Sequence, residues 1–77
     1  MDVFTRVKNI TVETLGCDAN DVVNEARFIE DLGADYPTKA FLFTIFEEEF
    51  QIDIKDEEED GLTTVGLAVD YIEKALS

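Results

Sequence analysis

The chain has 77 residues and a formal net charge of −13 at pH 7, with 19 acidic against six basic side chains. This length allows one folded domain, residues 1–77, and the charge disfavours binding to nucleic acid or to an anionic membrane surface. Apolar residues are frequent enough for a core, but no apolar run approaches the roughly 20 residues that span a bilayer. Residues 1–12 lack the apolar stretch of a signal peptide, and Cys17 is the lone cysteine, so we expect a cytoplasmic protein.

The first predicted helix covers residues 3–15. Its apolar residues recur at helical spacing and form one stripe: Val3, Phe4, Val7, Ile10 and Leu15. Gly16 follows directly and suits the left-handed conformation that ends many helices. Residues 16–35 then form a long connection, in which we expect a short turn at residues 22–23 and several inward-facing apolar side chains. These are Val22, Val23, Ala26, Phe28, Ile29 and Leu32.

The second predicted helix covers residues 37–50 and contains four of the six phenylalanines, which makes it the central packing element. At about 100° per residue, one side carries Leu42, Phe43, Phe46 and Phe50, and the opposite side carries Pro37, Phe41, Thr44 and Glu48. Because proline disfavours the helical conformation of the residue before it, we expect the helix to begin at Pro37 with Tyr36 extended. Lys39 falls on the inward side, so we expect its stem on apolar surface and its ammonium in water.

Two more helices are predicted in the C-terminal third of the chain. The acidic run 56–60 suits a short helix near 56–61, capped by Asp56 and ended by Gly61. Thr63 and Thr64 suit the cap of a last helix over 65–75, whose inward stripe is Val65, Ala68, Val69, Ile72 and Leu76. The predicted fold class is therefore all-α, a small antiparallel four-helix bundle with three longer helices and one short one.

One motif connects the first two long helices. The stretch Phe28-Ile29-Glu30-Asp31-Leu32-Gly33-Ala34-Asp35, followed by a helix that closes with Glu47-Glu48-Glu49-Phe50, resembles the acyl carrier protein family. The resemblance covers nearly the whole chain, since Leu15-Gly16 looks like the end of the family's first helix and Thr63-Thr64-Val65 like the start of its fourth. It implies the family's four-helix fold and a role linked to fatty-acid or polyketide biosynthesis.

The resemblance also locates a cofactor position. In the family, the aspartate is followed by a serine, whose hydroxyl carries a 4′-phosphopantetheine arm, and then by a leucine. This chain has Tyr36 and Pro37 there, and the tyrosine hydroxyl stands several ångströms further from the backbone on a rigid ring. The positions that correspond to the arm's site are Asp35, Tyr36 and Thr38. We expect no arm at Tyr36 and no other cofactor.

The outer face of the second helix is where the family contacts partner enzymes, so the resemblance implies a partner-binding face here. Its residues are Pro37, Phe41, Thr44, Glu47 and Glu48. Phe41 stands where the family commonly has an acidic residue. It is either an isolated exposed aromatic or an anchor, for a partner with a basic or hydrophobic patch or for a second copy in a weak homodimer.

Two alternative functions stay open. One is a working acyl carrier whose arm is attached at a nearby hydroxyl such as Thr38. The other is a non-covalent lipid binder with a cavity between the helices, lined by Leu32, Phe46, Phe50, Leu62 and Ala68, unless the phenylalanines simply fill that space. The chain has no histidine and no combination of nucleophile, base and charge stabiliser, so we predict neither an enzyme nor a metal site.

Overall fold

The computed structural model describes residues 2–77, which form four α-helices and one 3₁₀ turn. The helices are α1 Val3–Leu15, α2 Tyr36–Phe50, α3 Asp56–Gly61 and α4 Val65–Leu76, and the turn is Ala19–Asp21. Helix α1 packs against both α2 and α4. The all-α, four-helix prediction is confirmed, and α1 begins and ends at the predicted residues. No helix within residues 2–77 is long and apolar enough to cross a membrane.

Helix α2 begins at Tyr36, one residue before the predicted start at Pro37. Asp35 is extended, with ψ of 177°, and its Oδ1 accepts a hydrogen bond from the Thr38 N–H at 2.9 Å. Pro37 is the second helical residue, where its missing N–H loses nothing, because the first four N–H groups of a helix have no partner inside it. The prediction of an extended Tyr36 was wrong, since the Asp35 cap outweighs the steric preference that proline imposes.

The ends of the other helices follow local rules. Gly16 terminates α1 with φ of 69°, as predicted, and its N–H donates to the Val12 carbonyl at 2.9 Å. The Thr64 hydroxyl caps α4 by accepting from the Leu67 N–H at 3.2 Å. Helix α4 continues to Leu76, one residue beyond the predicted 65–75.

Helix α3 has its cap one residue earlier than predicted. Lys55 is the extended cap residue, and Asp56 is the first helical residue, so assigning the cap to Asp56 was wrong. A run of acids is favourable anywhere in the first turn because it faces the positive end of the helix dipole, so composition alone does not distinguish the cap from the first turn.

The core is formed by the inner faces of α1, α2 and α4 together with the long connection, and of the stripe predicted on α1 Val7 is fully buried while the others are half-buried. The predicted inward residues Leu42, Phe43, Phe46 and Phe50 are all buried. The Phe43 ring packs edge-on against Phe28, with centroids 5.4 Å apart, and against Phe46 at 5.1 Å. On α4 the predicted stripe is buried except Leu76, which is 48% exposed. Placing Leu76 in the core was wrong because the apolar period runs to the last residue of the helix, whether or not another element covers it.

The long connection is tied to the start of α4 by backbone hydrogen bonds. The Phe28 N–H donates to the Thr63 carbonyl at 3.1 Å, and the Val65 N–H donates to the Ala26 carbonyl at 2.9 Å. The Gly66 N–H donates to the Asn24 carbonyl at 2.9 Å. These bonds satisfy backbone groups that a free loop would leave to water, and they hold the segment that precedes α2 in one place.

The side chains of this connection follow the prediction in part. Those that are buried, as expected, are Val22, Ala26, Phe28 and Leu32. Val23 is instead 47% exposed and Ile29 is half-buried. The short turn lies at residues 19–21 and not at 22–23, because the Asp18 side chain accepts from the Asn20 N–H at 2.8 Å and starts the turn earlier.

Candidate functional site

The loop that carries the motif, residues 28–35, places Tyr36 at the N-terminal end of α2. Gly33 adopts φ of 81°, which turns the chain, and the next residue, Ala34, is buried with its N–H donating to the Phe28 carbonyl at 3.0 Å. Asp35 then caps the helix, and hydrogen bonding from Thr38 lowers the pKa of the Asp35 carboxyl. Tyr36 follows with 77% of its surface exposed. The geometry presents this side chain to solvent at the positive end of a helix.

Two acidic residues of the motif have structural contacts in the loop. The Asp31 carboxylate accepts from the Arg27 backbone N–H at 2.8 Å and from the Arg27 guanidinium at 3.2 and 3.3 Å. These hydrogen bonds from Arg27 lower the pKa of Asp31. Glu30 pairs with the same guanidinium at 3.4 Å. The carboxylates therefore stabilise the turn that leads to α2.

A small cleft of about 220 Å³ lies beside Tyr36. Its lining combines the Tyr36 ring with side chains from the loop, from α2 and from the segment that includes α3: Ile29, Glu30, Lys39, Asp60 and Thr63. The lining is mixed in character, with two carboxylates and one ammonium. None of the five residues predicted to line a lipid cavity, Leu32, Phe46, Phe50, Leu62 and Ala68, lines this cleft in the described structure.

Lys39 is buried, and its ammonium is not in water. The residue is 4% exposed, and its Nζ donates to the Glu59 carbonyl at 2.9 Å and lies 3.6 Å from the Glu59 carboxylate. The Nζ also lies 5.3 Å from the centre of the Phe43 ring. The inward position was predicted correctly, but the solvated ammonium was wrong, because Glu59 of α3 supplies a half-buried carbonyl and carboxylate that replace water.

The predicted partner-binding residues fall into two groups. Pro37, Phe41, Thr44 and Glu48 are all exposed on α2, and Phe41 keeps 60% of its surface in solvent. Glu47 is half-buried, and its Oε2 accepts from the Ile54 N–H at 2.9 Å. The four exposed residues form one outer face, whereas Glu47 also organises the connection from α2 to α3.

Sequence reasoning missed the polar contacts that hold α3. Besides the Lys39 contact, the Tyr71 hydroxyl lies 2.9 Å from the Glu58 carboxylate, to which it donates, and this hydrogen bond raises the pKa of Tyr71. The signal available for Lys39 was its position on the inward side of α2. Its partner Glu59 lies 20 residues further along the chain, and no local pattern indicates that pairing.

Comparisons with known proteins agree with this architecture. No protein-family model matches the chain. Among solved structures, it is similar to the acyl carrier protein from Enterococcus faecalis, with 31% sequence identity and a TM-score of 0.82. The match covers 97% of this chain and 99% of that one, so the similarity extends over nearly the full length of both. The chain belongs to the acyl carrier protein family.

Proposed function

We propose that this chain is a carrier-like module of fatty-acid or polyketide biosynthesis that takes no phosphopantetheine arm at Tyr36. It acts instead through protein docking on the outer face of α2. The observation that carries the proposal is the side chain delivered to the tip of that helix. The first residue of α2 is an exposed tyrosine, at the position where the resemblance to the family implies the attachment serine.

The chemistry of attachment disfavours a tyrosine. Transfer of the arm needs an attacking oxygen in line with the phosphorus and its leaving oxygen. A serine oxygen is one bond beyond Cβ, whereas the tyrosine oxygen lies at the far end of a planar ring. The hydrogen bond between Asp35 and the Thr38 N–H fixes the N-terminal end of α2. The backbone therefore cannot move back to make room for the longer tyrosine side chain without breaking that hydrogen bond. A tyrosine at this site therefore does not fit the arm that the family attaches there.

Binding of a protein partner to the outer face of α2 depends on Phe41. Burying a phenylalanine removes about 200 Å² from water, so the exposed 60% corresponds to about 120 Å² and about 3 kcal/mol. The neighbouring face offers Pro37, Thr44 and Glu48 as a small apolar and acidic rim. A partner with an apolar pocket and basic surroundings would match both features. A second copy of this chain matches less well, since it brings its own charge of −13.

The two alternative functions have less support. Thr38 is half-buried in the first turn, whereas Tyr36 is 77% exposed, so Thr38 is the less accessible of the two residues. For a lipid binder, the space between the helices is occupied by the fully buried side chains of Phe28, Phe43 and Phe46. Neither alternative therefore displaces the docking proposal.

The arm is tested by mass spectrometry. The native chain is incubated with coenzyme A and a phosphopantetheinyl transferase of broad specificity, and its mass should stay unchanged. The Tyr36→Ser, Pro37→Leu variant should gain one phosphopantetheine, and Tyr36→Ser alone separates the effect of the proline. An arm on the native chain would refute the proposal, and mapping it to Thr38 would establish the carrier alternative.

Docking is tested by titrating the native chain into a fatty-acid biosynthesis enzyme that binds acyl carrier proteins through a basic patch, with calorimetry as the readout. Phe41→Ala should weaken binding about 100-fold, which corresponds to the loss of about 3 kcal/mol of apolar burial. Leu67→Ala is the matched control, because Leu67 is a large apolar side chain 44% exposed on α4. Equal losses in the two variants would show that α2 is not the docking face.

A further inference from the structure

The cleft beside Tyr36 combines one aromatic ring with two carboxylates. Tyr36 comes from the start of α2, Glu30 from the loop of residues 28–35, and Asp60 from α3. The cleft volume of about 220 Å³ lies below the range of roughly 300–1,000 Å³ that is usual for small-molecule sites. The cleft therefore suits a single side chain of a partner better than a cofactor.

Both carboxylates keep acceptor capacity for a positive group. Asp60 is exposed, and its carboxylate has no hydrogen-bond or ion-pair partner within residues 2–77. Glu30 is also exposed, and its 3.4 Å contact with Arg27 uses Oε2. A carboxylate has about four lone-pair sites, so this contact does not saturate Glu30. The net charge of −13 adds a long-range attraction for cations.

Lys39 is the only positive residue among the described residues that line the cleft, and its charge is already paired. Its Nζ donates to the Glu59 carbonyl at 2.9 Å and lies 3.6 Å from the Glu59 carboxylate, and the residue is only 4% exposed. Turning the ammonium toward Glu30 or Asp60 would break these contacts. The two carboxylates of the cleft therefore have no cation of this chain to pair with inside it.

We propose that the cleft binds an arginine side chain of the protein partner, with the guanidinium against the Tyr36 ring and its N–H groups donating to Glu30 and Asp60. The face of a tyrosine ring attracts a cation, and arginine makes this contact more often than lysine. The planar guanidinium has five N–H donors, so it stacks on the ring and donates to two carboxylates at once. A serine at position 36 would offer no ring, so this contact depends on the tyrosine of this chain.

The source of the arginine rests on the proposed function, since it belongs to the protein that docks on α2. The cleft itself is testable without that protein. Phe41, the anchor of the outer face, does not line the cleft. Variants at Tyr36 and at Phe41 therefore separate the arginine contact from the docking contact.

The first test is an NMR titration of the native chain with N-acetyl-L-argininamide, a probe whose only charge is its guanidinium. The amide resonances of Glu30, Tyr36 and Asp60 should shift and approach saturation, with intermolecular NOEs between the Tyr36 ring and the δ-methylene of the probe. N-acetyl-L-lysinamide should bind more weakly, because an ammonium is a point charge that does not stack. Shifts spread evenly over the chain, or equal binding of the two probes, would overturn the proposal.

Variants then assign the contacts. Tyr36→Leu keeps an apolar side chain without the ring and should weaken binding of the arginine probe about 2- to 5-fold, the range of a cation–π contact at an exposed site. Asp60→Asn should weaken it by a similar factor. Phe41→Ala and Glu73→Gln remove an exposed aromatic ring and an exposed carboxylate outside the cleft, so both should bind like the native chain. Native affinity in Tyr36→Leu, or equal losses in Asp60→Asn and Glu73→Gln, would overturn the site.

Titration into the enzyme used for the docking test distinguishes this proposal from the proposed function. Tyr36→Leu and Phe41→Ala should each weaken binding to that enzyme. A loss with Phe41→Ala alone would overturn the arginine contact and leave docking on α2 intact. A loss with Tyr36→Leu alone would support the arginine contact and refute Phe41 as the docking anchor.

Discussion

Thr11 offers a direct test of how this small core is stabilised. The residue lies in α1 with no exposed surface, and its hydroxyl has no hydrogen-bond partner among residues 2–77. Burying a hydroxyl without a partner costs about 1–3 kcal/mol in protein mutational data. Valine has the same shape, a methyl group in place of the hydroxyl, and a similar helix propensity. We therefore expect Thr11→Val to raise the free energy of unfolding by about 1 kcal/mol, and the Tm by about 4–8 °C for a domain of this size.

The measurement is thermal and urea unfolding followed by circular dichroism at fixed pH and salt. Thr44→Val is the matched control, because Thr44 lies on the exposed face of α2 and its hydroxyl donates to the Ala40 carbonyl at 3.0 Å. It should give no gain. Thr11→Ser keeps the hydroxyl and deletes the methyl group, so it should lower the Tm. A Tm for Thr11→Val at or below the native value would refute the reasoning, since it would mean that the hydroxyl is satisfied.

Three further predictions concern the backbone and the loop. A Cβ on Gly66 would lie 3.0 Å from the Asn24 carbonyl oxygen, so Gly66→Ala should shift the loop backbone by a few tenths of an ångström and strain its hydrogen bond with the Gly66 N–H. Because alanine regains up to about 1 kcal/mol of helix propensity, the free energy of unfolding should fall by only about 1 kcal/mol in urea titration, and an unchanged midpoint would show that the loop yields freely. Gln51 ends α2 with φ of 56°, where glycine is free of strain, so Gln51→Gly should raise that free energy by about 0.5–1 kcal/mol, and a lower Tm would contradict the assigned strain. Hydrogen bonds from Arg27 lower the pKa of Asp31 in the folded state, so its stabilisation is present above the ordinary aspartate pKa and is lost as the pH falls through the lower folded value. The Tm of Asp31→Asn should therefore fall less between about pH 5 and pH 2.5 than that of the native chain, and parallel pH profiles would show that Asp31 contributes nothing.

The helices were predictable because each depends on signals within its own segment. The bounds of α1 follow from an apolar stripe that stops at a glycine, and the buried side of α2 follows from the phase of its phenylalanines. The start of α2 was mispredicted because two local rules compete there. Proline restricts Tyr36, and Asp35 offers a cap, and only the geometry shows that the cap prevails.

The contacts of α3 could not be predicted because they join residues far apart in the chain. The wheel position of Lys39 indicated an inward side chain, but what lies across from it depends on where α3 returns to the bundle. The sequence of α3 contains five acids, and nothing local distinguishes Glu59 from its neighbours as the one that meets the ammonium. The same holds for Tyr71, whose hydroxyl reaches back 13 residues to Glu58.

The position of residue 36 at the N-terminal end of α2 does not depend on which amino acid stands there. The turn at Gly33 uses a backbone conformation, and the cap at Asp35 uses a carboxylate and the Thr38 N–H, so neither is built from the Tyr36 side chain. Since that side chain is 77% exposed, replacing it should change stability by no more than about 0.5 kcal/mol. A bundle of this kind can therefore lose or regain an attachment hydroxyl without a change of fold. This is why the arm-transfer result for Tyr36→Ser, Pro37→Leu, measured beside its Tm, reports on chemistry at the helix tip and not on folding.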